Sequence, residues 1–455
     1  DPLYDRQPEK INHNTLLELV IDLYEAGDYA QGITLAEKWV KQQNVSRQED
    51  IYPLVYYYIA YGYQNLHRKE NTEQANCYMT MYVTLGENAA ADGCFPHRTE
   101  DYIVLKSLAE EYHLAMAYYY LGCLLYDRRV YDESIEDYEE SILRSPDFPT
   151  VHRNLALAYY NVKKLPQRAY EEMEKAFALD ETDARVYLEL DQLKKRLNVA
   201  VKERWSDMEK HFDLVESRDD LYLEYVTLLN TLGEPEKALG LIKARKFHQW
   251  EGGEGKVAAQ YLTALYQLAK AAVEKEDYAE AKELLLRAVG EYPHNLGEGK
   301  LESGQENNLY YLLGLVQEKL GEAKDAFESL TRACCGESEP VGMMYYNDQP
   351  PEMIYYQGLA YRMLGEEEQA VQRFCKLVDY GKEHIGDEIK IDYFAVSLPD
   401  LLIFEENLNE RNRKHCLFMM SLGLRGLGQT DEAKACAEEL LSMDNAHQGI
   451  RVHDL

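Results

Sequence analysis

The sequence predicts an all-α fold, a right-handed α-solenoid in which antiparallel helix pairs stack along the chain. Two observations indicate this fold. A pattern of large and small apolar residues recurs along the chain, and turn residues separate the two helical stretches of each copy. No alternating apolar and polar run bounded by turn signals competes with the helical period. Because one pair cannot bury its apolar face alone, neighbouring pairs must share one core, with a concave and a convex surface.

The clearest copy of the pattern runs from Tyr118 to Pro146. Its first helix contains Leu121-Gly122, and its second helix contains Ser134, Tyr138 and Ser141. Glycine after the leucine lets the two helices approach closely, small residues on the second helix admit large side chains of the first, and proline ends the pair. These offsets resemble the tetratricopeptide repeat, and the resemblance implies a solenoid of that type.

Other stretches carry the same arrangement of a small residue on each helix. The matching residues are Leu155-Ala156 with Ala169, Leu268-Ala269 with Ala281, Leu313-Gly314 with Ala326, and Gln357-Gly358 with Ala370. Weaker copies lie at residues 16–39 and 417–440. The predicted turns are Gly27-Asp28-Tyr29, Glu276-Asp277-Tyr278, Leu320-Gly321-Glu322, Leu364-Gly365-Glu366 and Leu427-Gly428-Gln429. Glycine and aspartate suit helix ends, so we expect a helix boundary at each turn.

The repeats predict four consecutive parts. They are N-terminal helical repeats at residues 1–92, tetratricopeptide repeats at 93–245, extended repeats with loop insertions at 246–380, and a C-terminal repeat and cap at 381–455. We expect the polar end, residues 451–455, to be exposed.

Composition excludes several classes of function. The formal net charge of the 455 residues is −32 at pH 7, which argues against sequence-independent nucleic-acid binding and against anionic membranes. No apolar run is long enough to span a bilayer, and the first residues do not form a signal peptide. The eight cysteines lack metal-like spacing, so we interpret them as reduced thiols of a cytosolic protein, and no cofactor is indicated.

Five stretches are more particular than a generic repeat. They are residues 95–101 (FPHRTED), 119–127 (YYLGCLLYD), 187–193 (YLELDQL), 247–256 (FHQWEGGEGK) and 295–300 (NLGEGK). Together they resemble the C-terminal repeat region of large bacterial proteins whose N-terminal β-rich domain is related to carbohydrate-binding or carbohydrate-processing domains. The resemblance implies a bacterial cytoplasmic protein connected with carbohydrate metabolism, and it supplies no catalytic residue.

Three successive repeats contain insertions after their second helices. Ala238, Ala281, Ala326 and Ala370 are spaced by 43, 45 and 44 positions, against about 34 in a standard unit. The insertions lie at residues 246–256, 294–308 and 336–351, and stacking should place them side by side on one edge. Glycine-rich backbone can approach a ligand, and tryptophan offers a flat face for a sugar or a cation. The predicted ligand-binding residues are His248, Trp250, Glu254, Lys256, His294, Glu298 and Lys300.

A structural role for these loops is the alternative. Gly-Glu-Gly-Lys would then end a loop and start a helix, and Trp250 would fill a gap between repeats. Neither loop is a phosphate-binding P-loop, because Val257 follows Lys256 where that motif needs serine or threonine. A metal site at His248 and His294 has no recognised ligand spacing.

Tyrosines cluster in the first helices, and adjacent helical residues point about 100° apart, so one seam cannot bury every ring. Tyrosine combines apolar area with a hydrogen-bonding tip, which suits peptide or carbohydrate recognition. The predicted groove aromatics are Tyr118, Tyr119, Tyr159, Tyr310 and Tyr355. The alternative is that most of these rings pack between repeats.

These observations predict a non-catalytic scaffold that binds a protein or peptide partner, including the N-terminal domain of its own parent protein. The alternative is a carbohydrate-binding accessory region that completes the site of a carbohydrate-active enzyme. Catalysis by the chain itself would need an acid and a base converging in a closed pocket. Adjacent glutamates in an acidic helical protein are no evidence for such a pair.

Overall fold

A computed structural model describes residues 11–43, 51–70, 73–250, 253–300, 304–342, 348–390 and 403–453. In these residues the secondary structure consists of twenty-three α-helices and one 3-10 turn, without strands. The chain divides into two compact units, unit 1 at Asp1–Asp180 and unit 2 at Glu181–Leu455. The prediction of an all-α solenoid of tetratricopeptide-type pairs is therefore confirmed. The four-part division of the sequence stays a prediction.

The described part of unit 1 contains four helix pairs and one additional helix, α5. Its helices are α1 His13–Glu25, α2 Tyr29–Gln42, α3 Pro53–Glu70, α4 Glu73–Asn88, α5 Thr99–Tyr112, α6 Ala115–Asp127, α7 Tyr131–Arg144, α8 Pro149–Asn161 and α9 Pro166–Leu179. The first helices of the pairs are α1, α3, α6 and α8.

The described part of unit 2 contains six helix pairs, the short helix α12 and the final helix α23. Its helices are α10 Ala184–Arg196, α11 Val201–Lys210, α12 Phe212–Ser217, α13 Asp219–Leu232, α14 Pro235–Ala244, α15 Lys256–Glu274, α16 Tyr278–Ala288, α17 Asn307–Lys319, α18 Ala323–Ala333, α19 Pro351–Met363, α20 Glu367–His384, α21 Leu408–Gly426, α22 Thr430–Met443 and α23 Gln448–Val452. The first helices are α10, α13, α15, α17, α19 and α21.

The predicted turns lie between the helices of their pairs. At the turn between α1 and α2, Gly27 has a φ of +78°, and the Asp28 side chain accepts a hydrogen bond from the Gln31 N–H at 3.1 Å. Asp277 caps α16 in the same way through the Glu280 N–H. Left-handed glycine ends one helix and aspartate begins the next, as their backbone preferences dictate.

Small residues set the distance between the two helices of a pair. The Ser134 hydroxyl donates to the Gly122 carbonyl oxygen at 2.7 Å. A Cβ placed on Gly358 would lie 2.5 Å from a ring carbon of Phe374, which is fully buried. Neither helix can therefore accept a larger residue at these positions without moving apart.

One pair in unit 2 replaces the small residues with charged ones. Asp191 and Arg204 lie thirteen positions apart, like Ala156 and Ala169 in unit 1, and both are buried. The Arg204 guanidinium donates to the Asp191 carboxylate at 3.0 and 2.5 Å and to Glu224 at 2.7 Å. Burial opposes ionisation of Glu224, but the positive charges of Lys195 and Arg204 outweigh it and lower the pKa of that carboxyl to about 2. A buried ionic network joins α10, α11 and α13.

Removing one member of this network should cost more stability than replacing the two buried members together. Asp191→Leu alone leaves the Arg204 charge buried without its main partner, and we expect a loss of about 3–5 kcal/mol. Asp191→Leu combined with Arg204→Met should recover most of that loss, because Glu224 keeps its ion pair with Lys195 at 3.2 Å. Chemical unfolding followed by tryptophan fluorescence measures both variants. Equal losses for the single and the double variant would contradict the interpretation.

None of the helices in the described ranges has the length and apolar character that crossing a membrane requires. The eight cysteines are free thiols.

Candidate functional site

The first two insertions lie side by side in unit 2. The Phe247 N–H donates to the Asn295 carbonyl oxygen at 2.8 Å. The Asn295 side chain donates to the Ile242 and Arg245 carbonyl oxygens at 2.7 and 2.9 Å, which satisfies the C-terminal end of α14. The stacking argument therefore places these two loops correctly.

Glu298 and Lys300 form structural contacts. The Glu298 carboxylate accepts hydrogen bonds from the N–H groups of Gly255 at 2.8 Å and Ala258 at 2.9 Å, so it caps the N-terminus of α15 from the neighbouring insertion. Lys300 Nζ donates to the Val289 carbonyl oxygen at 2.6 Å and to the Glu306 carboxylate at 2.8 Å. The loop-to-helix alternative accounts for both residues.

His248 and Trp250 occupy the first insertion. The backbone N–H of His248 donates to Asp219 Oδ2 at 2.9 Å and its Nδ1 lies 3.2 Å from the same atom, while most of its ring is exposed. Although partial burial opposes ionisation of Asp219, hydrogen bonds from His248 and Arg245 lower the pKa of this carboxyl. Trp250 covers Gly253 so closely that a Cβ there would lie 2.2 Å from its indole ring.

The remaining predicted residues of these loops, Glu254, Lys256 and His294, have exposed side chains. Within the described ranges, no three His, Cys, Asp or Glu side chains are grouped to hold a metal ion. The structure thus brings the two loops together through their backbones and through Glu298. A shared ligand pocket in these loops stays a prediction.

The third insertion, residues 336–351, includes residues 343–347, which lie outside the described ranges. Its described part contacts α19, α20 and α21, and the Gln357 side chain on α19 donates to the Glu337 carbonyl oxygen at 2.9 Å. Lys376 on α20 forms an ion pair with Glu339, and His415 Nε2 on α21 lies 2.8 Å from the Val341 carbonyl oxygen. Burial lowers the pKa of His415, so the neutral imidazole donates to that oxygen.

In unit 1, the predicted groove tyrosines take part in packing between helices. The Arg144 guanidinium lies over the Tyr118 ring, 4.6 Å from its centroid. Tyr119 is buried with its ring edge-on to Phe148 at 4.9 Å. Tyr159 is buried, donates to Glu139 at 2.5 Å and accepts from Arg168 at 2.7 Å.

In unit 2, Tyr310 and Tyr355 are arranged similarly. The Arg332 guanidinium lies 5.0 Å from the Tyr310 ring centroid and donates to its hydroxyl at 2.9 Å. Tyr355 is buried against Phe374 at 5.8 Å between centroids. The packing alternative describes these contacts, and ligand binding by the tyrosines stays a prediction. For Tyr118 and Tyr310, the sequence signal for this arrangement is an arginine near the end of the second helix, Arg144 or Arg332.

A surface that sequence reasoning missed is formed by the first helices of unit 2, here called the first-helix face. Residues 444–453, here called the C-terminal segment, lie against it. Asn445 exchanges hydrogen bonds with Asn198, its N–H donating to Asn198 Oδ1 at 2.7 Å and its side chain to the Asn198 carbonyl oxygen at 2.6 Å. The side-chain amides of Gln448 and Gln260, the latter on α15, pair at 3.0 Å.

The far end of the C-terminal segment contacts α15 and α19. Lys270 Nζ donates to the Val452 carbonyl oxygen at 2.9 Å. The Tyr356 hydroxyl lies 2.9 Å from His453 Nδ1 and 2.6 Å from the Tyr266 hydroxyl. Burial raises the pKa of Tyr356 well above its ordinary value, so its hydroxyl stays protonated as part of this chain.

The apolar side chains of the segment are also buried. Ile450 is 2% exposed and Val452 is 7% exposed. The His447 ring lies 4.8 Å from that of Phe418 on α21. Burial lowers the pKa of His447 to about 4, so the imidazole is neutral at pH 7. The segment therefore joins Asn198, which follows the first helix of unit 2, to the last repeat.

The expectation of an exposed polar end holds for Arg451 and is wrong for Val452 and His453, which are both buried, while Asp454 and Leu455 lie outside the described residues. The Val452 carbonyl oxygen binds Lys270, and the His453 imidazole binds the Tyr356 hydroxyl, both on first helices. The hydrogen bonds that join the segment to the rest of unit 2 span 97 to 247 positions of the sequence. A pattern read within single repeats cannot reveal them.

Unit 1 places a different segment against its own first helices. Asp101, at the start of α5, accepts hydrogen bonds from the Tyr58 hydroxyl on α3 at 2.8 Å and from the N–H groups of His97 and Arg98. Arg98 forms a 2.6 Å ion pair with Glu18 on α1. The stretch FPHRTED thus anchors α5, which is a structural role.

Comparisons with known proteins support the repeat type. One family model described as "Tetratricopeptide repeat" matches residues 119–184 and 266–340, and a second such model matches residues 415–447. The chain therefore contains tetratricopeptide repeats.

Solved structures resemble the chain weakly. A tetratricopeptide repeat protein from Parabacteroides merdae ATCC 43184 is 14% identical, over 67% of this chain and 98% of that one, with a TM-score of 0.25. YrrB, described as a TPR protein with an unusual peptide-binding site, is 18% identical over 54% and 97%, with a TM-score of 0.20. The P58(IPK) TPR domain is 12% identical over 78% and 99%, with a TM-score of 0.25. These scores carry no argument about ligands.

Glu298→Ala should destabilise unit 2. The variant removes the acceptor of two N–H groups at the start of α15, and we expect a loss of about 1–2 kcal/mol in the free energy of unfolding. Glu254→Ala is the matched control, because this exposed carboxylate lies one residue before Gly255. Chemical denaturation of both variants measures the difference. If the two variants were equally stable, the capping role of Glu298 would be refuted.

Proposed function

We propose that this chain is a binding scaffold for a protein partner and that the first-helix face of unit 2 recognises a short segment of that partner. The observation that carries the proposal is the C-terminal segment, which lies on this face through side-chain amides, buried aliphatic groups and a main-chain carbonyl. A surface that holds one peptide segment has the donors, acceptors and apolar sites that another segment needs.

The contacts define two kinds of recognition. Lys270 donates to a backbone carbonyl, which every peptide possesses. Gln260 pairs with an amide side chain, and the buried position of Ile450 takes an aliphatic group. Contacts to the main chain supply affinity that does not depend on sequence, and the amide and aliphatic sites select the sequence.

We also propose that the chain has no catalytic activity of its own. Tetratricopeptide repeats serve mainly as interaction surfaces, in keeping with this proposal. Hydrolysis of any glycoside by the purified chain would overturn it.

Two finer proposals rest on the resemblance to large bacterial proteins. One is that the partner is the N-terminal β-rich domain of the same parent protein, in the cytoplasm of a bacterium. The other is that the chain assists a carbohydrate-active enzyme by binding carbohydrate at the edge formed by the first two insertions. The resemblance of the FHQWEGGEGK and NLGEGK stretches to those bacterial proteins supports both proposals. The exposed positions of His248 and His294 also support them.

Photo-crosslinking tests which surface binds peptide. Peptides are selected from a random twelve-residue library against the full chain, and benzoylphenylalanine is then placed at position 270, 254 or 324. Position 270 lies on the first-helix face, 254 on the insertion edge, and 324 on the exposed side of α18. We expect selected peptides to crosslink at least fivefold more at 270 than at 324.

Mass spectrometry of the crosslinked products identifies the attached peptide. Crosslinking mainly from position 254 would show that peptides bind at the insertion edge, which is formed by the insertions at residues 246–256 and 294–308. Equal crosslinking from all three positions would refute specific binding on the first-helix face.

A further inference from the structure

The contacts of the C-terminal segment are those of a docked peptide. Its helix, α23, has five residues, which is too short to be stable without partners. Its order comes from Asn445, Gln448, Ile450 and Val452, whose partners lie elsewhere in unit 2. Segments held by few contacts open locally at lower free energy than the core does.

The segment is tethered directly to α22, which ends at Met443. Short tethers give effective concentrations in the millimolar range. A free peptide with the same contacts must therefore exceed that concentration to replace the segment, unless it forms additional contacts or the segment is weakened.

Two buried acceptors mark where additional contacts are available. In the described part of the chain, Asn230 Oδ1 and Gln267 Oε1 are buried and accept no hydrogen bond. Asn230 is 1% exposed, and its side-chain nitrogen donates to Gln260, the residue that pairs with Gln448. A buried acceptor without a donor costs free energy that an incoming N–H group recovers. A peptide that brings an N–H group to this point forms a hydrogen bond that the segment does not form, so it should bind the face more tightly than the segment does.

We infer that the C-terminal segment is an intramolecular ligand of the first-helix face, and that a partner binds there by displacing it with a segment of matching chemistry. Counted from its first amide residue, the partner segment has a second amide at position +3 and aliphatic residues at +5 and +7, as Asn445, Gln448, Ile450 and Val452 are spaced. It also carries an N–H donor near the second amide. This inference rests on the proposed function, and it identifies the kind of partner and the step that limits its binding.

Fluorescence anisotropy with a labelled peptide of residues 444–455 tests the inference. The full chain and its Asn445→Ala/Gln448→Ala variant are titrated against the peptide. The variant loses the anchoring hydrogen bonds of its own segment but keeps the face, so the peptide should bind it at least tenfold more tightly. Lys434→Ala/Glu438→Ala is the matched control, because this pair on α22 is exposed, and it should leave the affinity unchanged.

A second peptide keeps the test decisive if the variant chain loses stability. A peptide that carries the same two alanines should bind the variant at least tenfold more weakly than the natural peptide does. Equal affinity of the natural peptide for the full chain and for a folded variant would overturn the inference. Equal affinity of the variant for both peptides would overturn it as well.

Light scattering during the titration measures the mass of the variant and shows whether a second copy of the chain occupies the first-helix face. A doubling of the variant's mass without peptide would show that the segment of a second copy fills the face, and it would overturn the assignment to a partner protein. If library peptides crosslink at position 270 but the natural peptide binds neither chain, this inference fails while the proposed function stands. If no peptide crosslinks at position 270, the proposed function fails.

Discussion

The close approach of two helices at a pair of small residues is the contact on which the rest of the structure depends. Ser134 donates a hydrogen bond to the backbone of Gly122, and a Cβ added to Gly122 or Gly358 would collide with the ring of Tyr138 or Phe374 on the second helix. This distance fixes how each pair presents its first helix to the next pair. Repetition of the contact therefore aligns the first helices of each unit into one face. In the pair of α10 and α11, Asp191 and Arg204 occupy the positions of the small residues, and hydrogen bonds between their opposite charges join the two helices.

Local sequence patterns predict the elements of this fold well. Leu-Gly and Leu-Ala pairs, small residues on second helices and Gly or Asp turns each report a contact within about 15 residues, so they can be recognised in one repeat. The spacing of Ala238, Ala281, Ala326 and Ala370 also predicted the first two insertions, which the structure places in contact. The ionic replacement at Asp191 was not predicted, and its sequence signal is Leu190-Asp191 in place of Leu-Ala, with Arg204 thirteen positions later.

The candidate site was predicted less well, because residue types alone do not distinguish a ligand contact from a helix cap. Glu298 caps α15 and Lys300 satisfies a carbonyl oxygen, although both were expected to bind a ligand. Asn198 with Asn445 and Gln260 with Gln448 are joined across about 190 to 250 positions, and neither pair belongs to the repeat pattern. Such contacts follow only from the three-dimensional path of unit 2. They make the first-helix face, rather than the insertion edge, the surface with the best-defined peptide chemistry.

Hydrogen–deuterium exchange of the full chain tests most directly whether the C-terminal segment occupies this face. Local opening free energies range from near zero for fraying ends to the global value for the core. The account predicts that amides of residues 448–453 exchange at least a hundredfold more slowly than an unstructured peptide, because Gln260, Lys270 and Tyr356 hold them in place. Exchange at the rate of an unstructured peptide would show that the face is unoccupied and would contradict the account.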